Sequence, residues 1–203
     1  MRKVVVLLSG TGTNFQAILD ATNDGCQSYE VVLVISNRRR AGGLEKAAAA
    51  GVPWVYVDPR SCASREEYDR LLAREIDPIE PDLIVLAGFM RILSPFFVRR
   101  YAGQIVNIHP SLLPAFPGKD AQAQAIEAGV TTSGVTVHYV DEGVDTGPII
   151  DQVSVAIDPD DTVDTLSAKL QKVEHTLYPR VIAEICEQME HTRLQETTGG
   201  GGY

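Results

Sequence analysis

The stretch Val106-Asn107-Ile108-His109-Pro110-Ser111-Leu112-Leu113-Pro114 sets an amide and an imidazole two positions apart at the end of an apolar run. Ile105 and Val106 lead into it as a strand would, and alternate strand side chains share a face. Asn107 and His109 are therefore expected on one face, and Pro110 keeps His109 extended. An amide and an imidazole side by side suit holding and protonating the oxygen of an acyl group under attack. On spacing alone, the same pair fits a hydrogen-bonded loop or core histidine equally well.

Other polar groups could complete such a site. The loop Val140-Asp141-Glu142-Gly143-Val144-Asp145-Thr146-Gly147-Pro148 offers three carboxylates. One of them near His109 would favour the imidazolium form and orient the ring. Asp145 is the best placed, because Thr146-Gly147-Pro148 turns sharply after it; taken alone, the loop reads more readily as a solvated turn. Ser9-Gly10-Thr11-Gly12-Thr13-Asn14 lies between a strand and a helix, where free backbone N–H groups attract an anion. Its spacing is neither a dinucleotide fingerprint nor a Walker loop, so a terminal phosphate fits better than a pyrophosphate, and a ligand-free tight turn is the alternative. Gly88-Phe89-Met90-Arg91-Ile92-Leu93 follows another strand, where open α/β sheets bind ligands, and would suit a flat heterocycle with polar edges or, equally, core packing with a surface arginine. Arg65 opens a helix that would not ordinarily favour a cation there, which leaves it free to meet an anion.

The elements that must hold these groups alternate. Lys3–Leu8, Val31–Ile35, Trp54–Val57 and Leu83–Ala87 read as strands. Helices carry Phe15, Ile18 and Leu19; Leu44 to Ala50, stopped by Gly51; and Tyr68, Leu71, Leu72 and Ile76 behind a Ser64/Glu67 capping box. Pro95 opens a short helix, and Gln122–Ala128 forms another ended by Gly129. Val135–Val140 alternates, with His138 in it as a structural histidine, and Ile149–Val155 is a further strand. Val163, Leu166, Leu170, Val173 and Leu177 stripe a long C-terminal helix, capped by Asp161 or Thr162, that Pro179 should kink or split. Continuous apolar strands alternating with helices predict one doubly wound, Rossmann-like α/β domain over residues 1–196 with a mostly parallel sheet. The Gly-rich tail 197–203 is expected to be mobile.

Composition narrows the class. The 203 residues, 44% hydrophobic and 22% charged, describe an ordinary globular chain. A net charge of −9 argues against broad nucleic-acid binding but leaves room for a local basic pocket. No signal-peptide pattern opens the chain, and no apolar run nears the roughly 20 residues of a membrane span, so a cytoplasmic protein is expected. Cys26, Cys62 and Cys186 lack metal or redox spacing and read as free thiols. A monomer and a homodimer fit equally.

Taken in order, SGTGTN, LAGFMRILSP, NIHPSLLPAFPG and VDEGVDTGPI closely resemble the phosphoribosylglycinamide formyltransferases, over about Val4 to Pro179. NIHPSLLP alone marks the wider class of enzymes that use 10-formyltetrahydrofolate, and the phosphate loop narrows it. The resemblance implies formyl transfer from 10-formyltetrahydrofolate, as co-substrate, to the amine of glycinamide ribonucleotide, without a metal or a covalent enzyme intermediate. It aligns Asn107, His109 and Asp145 with the catalytic trio. It matches Gly12, Thr13, Asn14 and Glu174 to ribonucleotide contacts. It matches Arg65, Met90, Arg91, Ile92, Leu93 and the loop Val140, Asp141, Glu142, Gly143, Val144 and Asp145 to the folate site. Leu113-Pro114 is similar to the family's cis-proline turn.

One departure is local: many relatives carry a His where this chain has Asp120. Two enzymatic relatives fit less well. A formyltetrahydrofolate deformylase would carry an additional N-terminal domain, whereas the first strand here begins at Lys3. A methionyl-tRNA formyltransferase would need a basic C-terminal domain. A non-catalytic folate- or nucleotide-binding module would have no need of Asn107, His109 and Asp145 together.

Overall fold

The computed structural model describes residues 1–26 and 28–199, with only the backbone of 192–199. Seven strands form one sheet: β1 (Arg2–Leu8), β2 (Tyr29–Ser36), β3 (Trp54–Tyr56), β4 (Leu83–Leu86), β5 (Ile105–His109), β6 (Thr132–Tyr139) and β7 (Ile149–Ala156). Their order is β3-β2-β1-β4-β5-β6-β7. The first five run parallel, and β6 and β7 add an antiparallel edge. The expected mostly parallel, Rossmann-like sheet is thus observed.

Strand β1 shows why its sequence has no polar alternation. Val4, Val6 and Leu8 join one buried cluster, whereas Val5 and Leu7 join another on the opposite face. Both faces are covered, so both sets are apolar. Helices α1 (Thr13–Asn23), α2 (Gly42–Ala49), α5 (Ala121–Glu127) and α6 (Val163–Gly199) contribute to the first cluster; α3 (Arg65–Ile76) and α4 (Pro95–Arg100) contribute to the second. The capping box at α3 is present with a shift. Ser64 Oγ accepts the Glu67 N–H at 3.1 Å, and the Glu67 carboxylate reaches the N–H of Ala63 rather than of Ser64.

Helix α6 does not split at Pro179 but continues through it. Leu177, Tyr178, Val181 and Ile182 are all buried on either side. That packing outweighs the roughly 3 kcal/mol that a proline costs a helix interior. The Tyr178 hydroxyl, 3.0 Å from the Leu86 carbonyl and 3.1 Å from that of Val106, ties α6 to the sheet. The helix extends to Gly199, and residues 200–203, the rest of the tail expected to be mobile, lie outside the described residues.

Chain order reverses between β1 and β4, where the loops after the two strands separate. Ser9 N–H donates to the Gly88 carbonyl at 3.1 Å across this switch point. The glycine loop and the Met90–Leu93 loop therefore flank one crevice, with the end of β5 beside it.

Candidate active site

Asn107 and His109 both belong to β5, as the alternation requires. The antiparallel register sets Asn107 opposite His138 of β6, so these two share a face. Asp145 arrives from the loop between β6 and β7 with φ 54°, a left-handed conformation that an Asp tolerates better than most residues. Gly118 N–H donates to Asp145 Oδ2 at 2.8 Å, which fixes the carboxylate.

Two donors then converge on that carboxylate. Asn107 Nδ2 lies 3.5 Å from Asp145 Oδ1, and His109 Nδ1 lies 3.4 Å from Asp145 Oδ2. Both distances exceed the 2.7–3.2 Å of a well-made hydrogen bond, so neither donor is fully used. His109 Nε2 donates to the Phe116 carbonyl at 2.9 Å. With Nε2 so engaged, an imidazolium turns a second N–H towards Asp145, whereas a neutral ring would turn a lone pair towards it. His109 is only 5% exposed.

Burial alone would push the Asp145 pKa up. The nearby His138 side chain, the Gly118 N–H and the charge of His109 prevail and hold it below the ordinary carboxylate value. His138, read from the sequence as structural, thus belongs to the site. Its Nδ1 donates to the Tyr139 carbonyl at 2.8 Å, leaving Nε2 3.3 Å from Asn107 Nδ2 and 3.6 Å from Asp145 Oδ1. Its place opposite Asn107 could be found only once the β5–β6 register was known.

The loop behind His109 is pinned from below. The buried Thr136 hydroxyl donates to the Ser111 carbonyl at 2.6 Å and accepts the Leu113 N–H at 3.1 Å. Gln152 Nε2 reaches the Leu113 carbonyl at 2.9 Å. This network supports the turn at the cis Leu113-Pro114 bond and, beyond it, the Phe116 carbonyl.

On the other side of the crevice, Gly12 sits at φ 73°. A Cβ there would meet Gly43 Cα at 2.6 Å, so the glycine is required twice over. Helix α1 starts at Thr13 with no side-chain cap, which leaves first-turn N–H groups without a partner inside the helix next to the loop. Asn14 Nδ2 donates to Glu174 Oε2 at 2.9 Å, and Asn14 Oδ1 is buried without a partner. Burial raises the Glu174 pKa, only partly offset by Asn14 and by the charges of His175 and His109. Two residues not anticipated from the sequence reach this loop: Gln171 donates to Thr13 Oγ1 at 3.0 Å, and the Lys46 side chain packs beside Gly12.

The third group of residues forms a wall. Met90, Ile92 and Val144 are 65%, 52% and 45% exposed, unusual for large apolar side chains, and they come from the two loops bordering the trio. The Arg91 guanidinium lies 4.5 Å over the Tyr68 ring, with its Nε unpartnered, and Arg65 is exposed at the start of α3. Leu93 turns into the core and backs this wall rather than surfacing it. Val140 is half-buried beneath it. Asp141 holds its own turn through the Gly143 N–H and the Thr146 hydroxyl, and the Glu142 carboxylate is engaged by Arg99 at 2.6 Å. Among the described residues, no group of His, Cys, Asp and Glu side chains could hold a metal. None of the helices described is long and apolar enough to cross a membrane.

The crevice therefore combines an anion-attracting loop, a carboxylate-supported donor pair and an exposed apolar wall with arginines. Residues 2–182 match the family model described as formyl transferase. The trifunctional purine biosynthetic protein adenosine-3 of Drosophila melanogaster is 53% identical over 184 residues, 90% of this chain but 14% of that protein's length. The phosphoribosylglycinamide formyltransferase of Escherichia coli is 47% identical over 180 residues, 89% of this chain and 85% of the relative. A crystal structure of glycinamide ribonucleotide transformylase 1 from Symbiobacterium toebii superposes with a TM-score of 0.90 at 45% identity, covering 93% of this chain and 89% of that one. The chain belongs to the formyl transferase family and, within it, to the phosphoribosylglycinamide formyltransferases.

Proposed function

We propose that this chain transfers a formyl group from 10-formyltetrahydrofolate to the amine of glycinamide ribonucleotide, a step of purine biosynthesis. The observation that carries the reading is the convergence of Asn107 Nδ2 and His109 Nδ1, both underused, beside the Asp145 carboxylate. Two such donors are what an acyl oxygen needs when its carbonyl carbon becomes tetrahedral.

The attacking amine forms a C–N bond to the formyl carbon, and the negative charge collects on the formyl oxygen. Asn107 and the imidazolium of His109 stabilise that charge. Collapse breaks the bond from the formyl carbon to the folate nitrogen, which leaves protonated as tetrahydrofolate. Asp145, held ionised, faces His109, takes up through water the proton that the amine sheds and returns it by the same path to the departing folate nitrogen. No covalent bond to the protein is needed.

The substrates fit the two flanks. A ribonucleotide phosphate suits Gly12, Thr13 and Asn14 at the start of α1, and the unpartnered Asn14 Oδ1 with Glu174 suits donors on the sugar or glycinamide. The pteridine and benzoyl rings suit the exposed wall of Met90, Ile92 and Val144, with Arg91 and Arg65 for the acidic end. Asp141, Gly143 and Glu142 shape the loop that carries Val144 and Asp145.

His109→Ala is the test. Turnover should fall at least a hundredfold while tetrahydrofolate still binds within about threefold of the parent, because the wall is untouched. Unchanged turnover would remove His109 from the chemistry and with it this mechanism.

A further inference from the structure

One charged feature stands outside the site described above. Arg38, Arg39 and Arg40 follow β2 as three consecutive exposed arginines in a chain of net charge −9. None of their side chains makes an ion pair or hydrogen bond among the described residues. With Asn37, Tyr56 and Arg60 they line a cleft of about 410 Å³. The one carboxylate in that cleft, Asp58, is engaged by Arg60 at 2.8 and 3.0 Å. The cleft is therefore net cationic, and its three free guanidiniums lie idle.

Its position gives it a use. The cleft lies at the C-terminal ends of β2 and β3, on the ligand side of the sheet. A single hydroxyl joins it to the folate wall: Ser9 Oγ donates to Asn37 Oδ1 at 2.6 Å and accepts the Met90 N–H at 2.8 Å. Tyr68 makes a second link, with Arg91 stacked over its ring, in a buried cluster against which Val55 and Cys62, close to the cleft's Tyr56 and Arg60 in the chain, also pack. A third is the chain itself, which runs from Arg60 to Arg65 in five residues. The cleft thus continues the wall past Arg91 and Arg65, at the end assigned above to the acidic part of the folate.

We infer that Arg38, Arg39 and Arg40 form an anion track for the γ-linked oligoglutamyl tail of the folate co-substrate, beyond the first glutamate. Each added γ-glutamyl unit brings one more free carboxylate, and a row of unpaired guanidiniums matches a row of carboxylates. In a chain that otherwise repels anions, such a row also draws the acidic tail towards the crevice. The inference rests on the folate reading of the wall.

The experiment compares the affinity of tetrahydrofolate carrying one glutamate with that of tetrahydrofolate carrying five, in the parent protein and two triple variants. In the parent, the five-glutamate form should bind about tenfold more tightly, the scale of three exposed ion pairs. That advantage should shrink as salt is raised. In the R38Q/R39Q/R40Q variant it should vanish, while the one-glutamate affinity and the kcat with one-glutamate substrate stay as in the parent. The R38K/R39K/R40K variant should retain most of it. Equal affinity of the two forms in the parent overturns the track, as does an advantage that survives R38Q/R39Q/R40Q. A loss of ribonucleotide affinity instead of tail affinity in that variant overturns it too, by assigning the arginines to phosphate. If one-glutamate tetrahydrofolate fails to bind the parent at all, the folate reading falls and the track with it.

Discussion

Replacing Asp145 by Asn separates the charge of this residue from its shape. In the parent, Oδ2 accepts the Gly118 N–H at 2.8 Å, an interaction that an amide oxygen preserves. The same oxygen keeps its place 3.4 Å from His109 Nδ1, while the amide nitrogen takes the place of Oδ1, 3.5 Å from Asn107 Nδ2, with a donor where an acceptor stood. Two N–H donors then oppose each other, so the Asn107 amide turns out of place, and the negative charge that faced His109 is gone. One of the two oxyanion donors disappears. Loss of one such donor costs about 2.7–4 kcal/mol, a roughly 100- to 1,000-fold fall in kcat. KM for the folate should move by less than about threefold, since Met90, Ile92 and Arg91 are unaltered. Steady-state rates, with single-turnover rates to isolate the chemical step, measure both quantities. A kcat within threefold of the parent, or a defect confined to KM, would refute the role given to the carboxylate. Stability gives an independent check. Asp145 has a folded pKa held below its ordinary value, so its stabilisation is complete above the unfolded pKa of about 3.9 and is lost as pH falls through the folded value. The parent should melt above D145N at pH 7, and the gap should close on acidification below about pH 4.

Three further outcomes are expected. Burial raises the folded pKa of Glu174, which weakens the fold as pH rises from about 4.3 through that value. Glu174→Gln should therefore melt higher than the parent at pH 8, lose that gain near pH 4, and show a raised KM for the ribonucleotide; a lower melting temperature at pH 8 would contradict this. Met90→Ser, at a side chain 65% exposed, should leave the melting temperature unchanged and weaken folate binding about tenfold through roughly 1–1.5 kcal/mol of lost apolar burial; an unaltered KM would remove Met90 from the wall. Tyr178→Phe strips the buried hydroxyl from the Leu86 and Val106 carbonyls and should cost about 1 kcal/mol in denaturant unfolding, with no gain in activity.

The sequence was most legible where a pattern was local. Uninterrupted apolar strands such as Val4–Leu8 predict a sheet covered on both faces, and β1 sends alternate residues into two separate cores. Asn107 and His109 share a strand, so their spacing predicts a common face. The turn Thr146-Gly147-Pro148 singles out Asp145 among the three acids of its loop, and the family resemblance joins it to a pair that lies far back along the chain. What stayed hidden depends on register and packing. His138 alternates along β6 like any strand residue, and only its pairing with Asn107 makes it a neighbour of the carboxylate. The Phe116 carbonyl that pins His109 is a backbone group, and no residue type announces it. Pro179 carries a helix-breaking signal, but buried side chains on both sides hold α6 continuous. Glu142 resembles its loop neighbours in sequence, yet Arg99, from α4, takes its carboxylate.

The most direct measurement is formyl transfer by the purified protein from 10-formyltetrahydrofolate, followed with and without glycinamide ribonucleotide. Tetrahydrofolate should form only when the ribonucleotide is present, in step with one equivalent of formylated ribonucleotide. Release of tetrahydrofolate at the same rate without the ribonucleotide would make water the acceptor and reduce the glycine loop to a structural turn.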